Sequence, residues 1–168
     1  MATTFTPSAG NVMRPWGKCE IRHYPEDATQ TFKKGYPVIL GGAGLENKVK
    51  VAADNPTAAI VGVAAADASG VTGALVPVYL AKPELKFIVT TVAADAVDFT
   101  DIGSCRALQA HASLAIWVVD TTDAGNDSVV IEGYVNPQTM TRQTTEGDSE
   151  VYAIVHFDPK ATVFGAGT

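Results

Sequence analysis

Between Thr31 and Thr91 four short apolar runs alternate with Gly, Pro, Asn, Asp and Ser. This punctuation predicts strands joined by tight turns. In the first run, Lys33-Lys34-Gly35-Tyr36 reads as a turn and Pro37 opens a strand, where a missing N–H is tolerated. Lys48–Ala52 alternates charged and apolar residues, as a half-exposed strand does. Asp54-Asn55-Pro56 marks a turn, and Thr57 is placed to cap a short helical step. Ile60–Ala65 follows as a buried strand, with Gly62 allowing a bulge or a close backbone approach. Val76, Val78 and Leu80 share one strand face, and Pro77 argues for an edge position. Leu85, Phe87 and Val89 form the next face, with Lys86 and Ile88 on the other.

After Val92 the β pattern weakens. Thr100-Asp101 is placed to cap one or two helical turns running through Cys105, Leu108 and Gln109. Leu114–Val119 is then a dense apolar strand carrying Trp117, which is expected in the core. Asp120–Asp127 reads as a polar hairpin loop with Ser128–Val135 as its return strand. Gln138–Asp148 is a polar, Thr-rich connection, and Val151, Ala153, Val155 and Phe157 alternate along a last strand. The expected class is all-β: a small antiparallel barrel or sandwich with at most one short helix.

Residues 1–30 differ from the body that follows at 31–168. Pro7, Pro15 and Pro25 bias the segment toward extended backbone, and apolar side chains are spaced along it like anchors. The expectation is an extended N-terminal arm whose contacts are Phe5, Met13, Arg14, Trp16, Ile21 and Tyr24. Such an arm can fill pockets on a neighbouring subunit or fold back over its own barrel. Its reach favours the neighbour.

The charge is uneven. Residues 1–34 carry a net +2, and residues 35–168 carry −8, within a total of −6. An acidic body repels phosphates, so nucleic-acid binding is not expected. A mildly basic arm suits an acidic protein surface. Charged residues make up only 18 % of the chain, which fits a surface partly covered by a partner. Cys19 and Cys105 are too few for a disulfide scaffold and are expected as thiols. The N-terminus shows neither the basic nor the apolar region of a signal peptide, so synthesis in a cytoplasm is expected. Ala58–Ala66, the longest apolar stretch, falls far short of the ~20 residues a membrane helix needs.

No catalytic motif stands out, and neither cofactor nor metal is expected. Gly41-Gly42-Ala43-Gly44 lacks the features of a phosphate cradle. Asp120, Asp123 and Asp127 invite a calcium reading, but their spacing does not fit an EF-hand, and capping of backbone N–H groups explains them better. Asp95, Asp98 and Asp101 form a similar run, the last reading as a helix cap. Cys19 with His23, and Cys105 with His111, have no zinc-site spacing. A Cys105–His111 nucleophilic pair would need the fold to assemble it. His156, within a strand, is expected to face solvent or a satisfied contact. Trp16 and Trp117 are the only tryptophans that a sugar-stacking platform could use.

Gly35-Tyr36-Pro37-Val38, Ile60-Val61-Gly62-Val63-Ala64 and Gly73-Ala74-Leu75-Val76-Pro77-Val78 follow one another at short intervals. This text resembles the small head decoration, or cement, proteins of tailed bacteriophages. The resemblance covers about residues 31–90. It implies a compact, β-tulip-like barrel without an active site, commonly trimeric, applied to the outside of the virion shell. It also implies the major capsid protein as partner, and a terminus that bridges neighbouring capsomers against the pressure of packaged DNA. Other virion roles, such as tail or fibre attachment, and a carbohydrate-binding β-module are the alternatives.

Overall fold

The computed structural model describes residues 8–41, 47–92, 96–144, 146–148 and 151–164. Eleven strands form among them: β1 Arg14–Pro15, β2 Ile21–Pro25, β3 Pro37–Gly41, β4 Lys48–Val51, β5 Ile60–Ala64, β6 Leu75–Leu80, β7 Phe87–Thr91, β8 Cys105–Ala110, β9 Trp117–Asp120, β10 Val129–Val135 and β11 Tyr152–Phe157. The protein is all-β, as its alternating text predicts. Two sheets pack together, one ordered β1-β7-β11-β10-β8-β9 and the other β2-β6-β5-β3-β4.

Each sheet curls until its ends meet. In the first, β9 returns to β7 as a parallel pair, Thr90 opposite Val118 and Thr91 opposite Val119. In the second, Glu26 just after β2 bridges Val49 of β4 in parallel, and the Asp27 N–H donates to the Val49 carbonyl at 2.9 Å. Glu26 is buried, and its carboxylate accepts from the N–H groups of Ser69 and Gly70, which fixes the turn beside this seam.

The first sheet encloses Phe87, Val89, Leu108, Trp117, Val119, Val129, Ile131, Val155 and Phe157. Phe87 and Phe157 meet edge to face at 5.3 Å. The second encloses Tyr24, Phe32, Val38, Val49, Val61, Val76, Val78 and Leu80. β5 is the wall between these cores. Ile60 and Val63 serve the first, Val61 and Ala64 the second, which is why the strand is apolar at every position rather than alternating. A register shift opposite Val38 and Ile39 accommodates the extra residue, Val61. A smaller apolar cluster lies on the outside of the first sheet, formed by Ile88, Val135, Tyr152 and Ile154 with Trp16 packed on it. A bulge between Ile131 and Gly133 makes this possible, because it turns Val135 to the face opposite Ile131.

Several local expectations differ from the structure. The segment after Thr100 is not helical. A single 3-10 turn spans Phe99–Asp101, capped by Asp98 rather than Asp101, and Gly103 at φ +88° leads the chain into β8. Leu108 is needed in the core and the β8 backbone is paired on both sides, so tertiary context overrides the cap signal. No helix follows Thr57; Asn55 and Ala59 are turn residues with positive φ. Asp120–Asp127 is not a hairpin loop, because β8 lies between β9 and β10. Pro77 is not at an edge, because β6 lies between β2 and β5. Its carbonyl accepts from Ala65, just past the end of β5, so its missing N–H faces a place where the ladder has already ended.

Residues 8–30 are part of the body. β1 pairs with β7 through Arg14–Ile88 and Pro15–Phe87, and the Trp16 N–H donates to the Lys86 carbonyl at 2.8 Å. β2 pairs with β6 over its whole length. The division at residue 30 therefore does not mark a boundary in the packing.

Candidate functional site

The residues expected to grip a neighbour have varied placements. Phe5 lies outside the described residues. Met13 and Tyr24 are buried in the chain's own first and second cores, so neither is available to a partner. Arg14 is half-buried, with its guanidinium 5.4 Å from the centre of the Tyr152 ring, a cation–π distance. Trp16 covers the outer cluster of the first sheet. Asn11 hydrogen-bonds the Tyr152 hydroxyl. Among the five that lie within the described residues, only Ile21, at 49 %, is exposed.

Ile21 leads to a surface that the alternation of β6 encodes. Tyr24 of β2 lies opposite Val76, with both side chains in the second core. The intervening positions must face the opposite side of this sheet. Ile21, His23 and Pro25 on β2 thus share a face with Tyr79, Pro77 and Leu75 on β6, where Tyr79 packs half-buried against the first core while Ile21 and Leu75 are exposed. Leu75 is 67 % exposed, and Val71 in the preceding turn is 62 % exposed. One end of this strip is framed by the Lys82–Glu20 ion pair at 2.5 Å. Leu75 and Val71 do not appear among the residues expected from sequence, although strict alternation with Val76, Val78 and Leu80 places Leu75 outward.

Four successive residues of β2, Arg22 to Pro25, border an open groove of about 330 Å³ with Leu40, Asn47, Val163 and Phe164.

The groups with chemistry are mostly committed to structure. Cys105 opens β8 and His111 follows its last residue, roughly 20 Å away at ~3.3 Å per residue, so the fold does not pair them. His111 Nδ1 accepts from the N–H groups of Ser113 and Leu114, both at 3.1 Å, which holds a turn. The Cys105 thiol donates to Asp158 Oδ2 at 3.3 Å. Burial, then Asp158 and Asp127, push its pKa up to about 11, so it is a thiol at neutral pH and a poor nucleophile. Cys19 and His23 are exposed, and among the described residues neither joins a group of metal ligands.

Asp120 Oδ1 accepts from the N–H groups of Thr122 and Asp123, and Asp123 Oδ1 from that of Gly125. These two carboxylates cap backbone, as the loop's composition suggests. Asp127 stands apart from them and converges instead with Cys105 and Asp158, the three donor atoms lying within 4.8 Å of one another. Asp95 lies outside the described residues. His156 Nδ1 meets Glu132 Oε1 at 2.8 Å, and Lys86 also binds this carboxylate. Burial opposes ionisation of Glu132, but these two partners outweigh it and hold the group below its ordinary range. Trp117 is buried and so cannot serve as a stacking platform.

The chain matches no protein-family model and no curated protein. Among the described residues, no helix is long and apolar enough to cross a membrane.

Proposed function

We propose that this chain is a non-enzymatic head decoration (cement) protein of a tailed bacteriophage. In this reading it is made in the host cytoplasm and binds the outside of the capsid. There it bridges neighbouring major capsid protein subunits and braces the shell against internal DNA pressure. The observation that carries the reading is the exposure of Ile21 on β2, Leu75 on β6 and Val71 in the preceding turn, three apolar side chains on neighbouring parts of a closed, doubly cored β body. Large apolar side chains left exposed on one pair of strands suit a contact site. The three stretches that carry the family resemblance also fall together, on the neighbouring strands β3, β5 and β6 of one sheet.

The adhesive element in this proposal shifts from a free arm to the β2–β6 face, with the N-terminal segment contributing Ile21. A homotrimer on the shell would multiply modest single contacts into tight attachment. The −8 charge of residues 35–168 suits a subunit that faces solvent and does not contact DNA.

The test is binding of the purified chain to DNA-free heads. The double variant Ile21→Asp, Leu75→Asp is expected to keep its fold, because both side chains are exposed, and to bind at least tenfold more weakly. Unchanged binding by the folded double variant would remove this face from the account.

A further inference from the structure

Three strand ends of the first sheet meet at one rim. β8 begins at Cys105, β10 is entered from Asp127, and β11 is left at Asp158. β10 lies between the other two, with Cys105 opposite Val130 and Phe157 opposite Val129. Ser128 ties the rim together. Its N–H donates to the Arg106 carbonyl, its own carbonyl accepts from the Asp158 N–H, and its hydroxyl donates to the Pro56 carbonyl at 2.6 Å. The ladder, not a flexible loop, therefore holds Cys105 and Asp158 in place. The donor atoms of Cys105, Asp127 and Asp158 lie within 4.8 Å of one another.

Asp158 is only 5 % exposed and makes no ion pair among the described residues. Its Oδ1 accepts from the Lys160 N–H at 2.7 Å, while Oδ2 has, among the described residues, only the Cys105 thiol as partner. A buried carboxylate without a counter-ion is costly. The Lys160 side chain is exposed and forms no ion pair with it, its charge reaching the cluster only weakly, at Cys105. Asp127, exposed on the solvent side, has no hydrogen bond or ion pair to the described residues and closes the open side of the cluster.

We propose that Cys105, Asp127 and Asp158 bind a thiophilic divalent cation, zinc being the chemical class that fits one sulfur and two oxygen donors with a fourth, solvent position. The expectation of a metal-free chain drawn from sequence spacing does not cover this set, since its members are brought together only by sheet register. On binding, the Cys105 S–H bond breaks, its proton leaves to solvent, and the sulfur pair forms the metal bond. The ion then replaces the weak thiol–carboxylate hydrogen bond and crosslinks the ends of β8, β10 and β11.

Cadmium chloride titrated into the full chain is a direct probe, because a thiolate–cadmium bond gives an ultraviolet charge-transfer band. The expected result is one cadmium per chain, with a band that persists in Cys19→Ser and disappears in Cys105→Ser. Zinc should displace the cadmium, and magnesium should not. Asp127→Asn, at an exposed position that leaves the fold alone, should weaken binding at least tenfold. Absence of the band in Cys19→Ser, its survival in Cys105→Ser, or unchanged affinity in Asp127→Asn would each overturn the proposal.

Discussion

Gly62→Ala should be among the most damaging single substitutions in this chain. A Cβ at this position would lie 1.9 Å from the Tyr79 carbonyl oxygen and 2.9 Å from both the Tyr79 carbonyl carbon and Val78 Cγ1. The first two are backbone atoms of β6, which is paired to β5 on one side and β2 on the other. The chain cannot yield there without opening one of those ladders. Gly62 also sits in the strand that separates the two cores, so any shift disturbs both. The expected cost is about 4 kcal/mol, lowering Tm by about 10 °C for a chain of this size, or a failure to accumulate as soluble protein. Gly125→Ala serves as the control, because a Cβ there meets nothing closer than 3.4 Å and its φ is ordinary. Its stability should stay within about 0.5 kcal/mol of the parent. Thermal unfolding of the two variants side by side makes the comparison. Equal stabilities would mean that β5 and β6 do not approach as closely as the two-core arrangement requires.

The second large effect falls in the segment that reads as an arm. Met13→Ala removes a side chain that is 1 % exposed and packed into the first core. Truncating a buried Met costs about 2–4 kcal/mol through lost burial and the cavity left behind. A free arm would make the same substitution nearly silent in the purified chain, so chemical denaturation of the purified chain distinguishes the two descriptions. Gly35 locks the segment from the other side. At φ +86°, a Cβ there would stand 2.5 Å from Val12 Cβ and 3.1 Å from the Met13 backbone. The turn at Lys33–Tyr36 is thus also the seat on which residues 12 and 13 lie. Its glycine is required twice, for backbone conformation and for that contact.

These two glycines illustrate what sequence could and could not convey. Period-two alternation in Val76, Val78 and Leu80, and in Val151, Ala153, Val155 and Phe157, placed those side chains inward correctly. The unbroken apolar run of β5 signalled a buried strand, and its glycine a bulge or a close approach. The failures share a cause, because each depended on which strand neighbours which. Pro77 was consistent with an edge only if one side of its strand was free, and the Asp120–Asp127 loop was a hairpin only if β9 and β10 were adjacent. The segment around Cys105 carried a plausible helix cap, yet its Leu108 was claimed by the first core. Proline-rich text before residue 30 indicated extended backbone, which is right for β1 and β2. Extension alone does not say whether a strand joins its own sheet. The same blindness hid the Cys105–Asp127–Asp158 convergence, whose members are separated by whole strands and united by register. Exposed Leu75 was legible in principle, since it alternates with buried Val76.

The proposed role rests finally on where the protein sits. The decisive measurement is an image reconstruction of intact heads and tails carrying the bound chain. The account predicts density for the β body repeated over the icosahedral faces of the shell, bridging capsid subunits, with the β2–β6 face turned toward them. Density confined to one vertex or to the tail, or none on the shell, would contradict it.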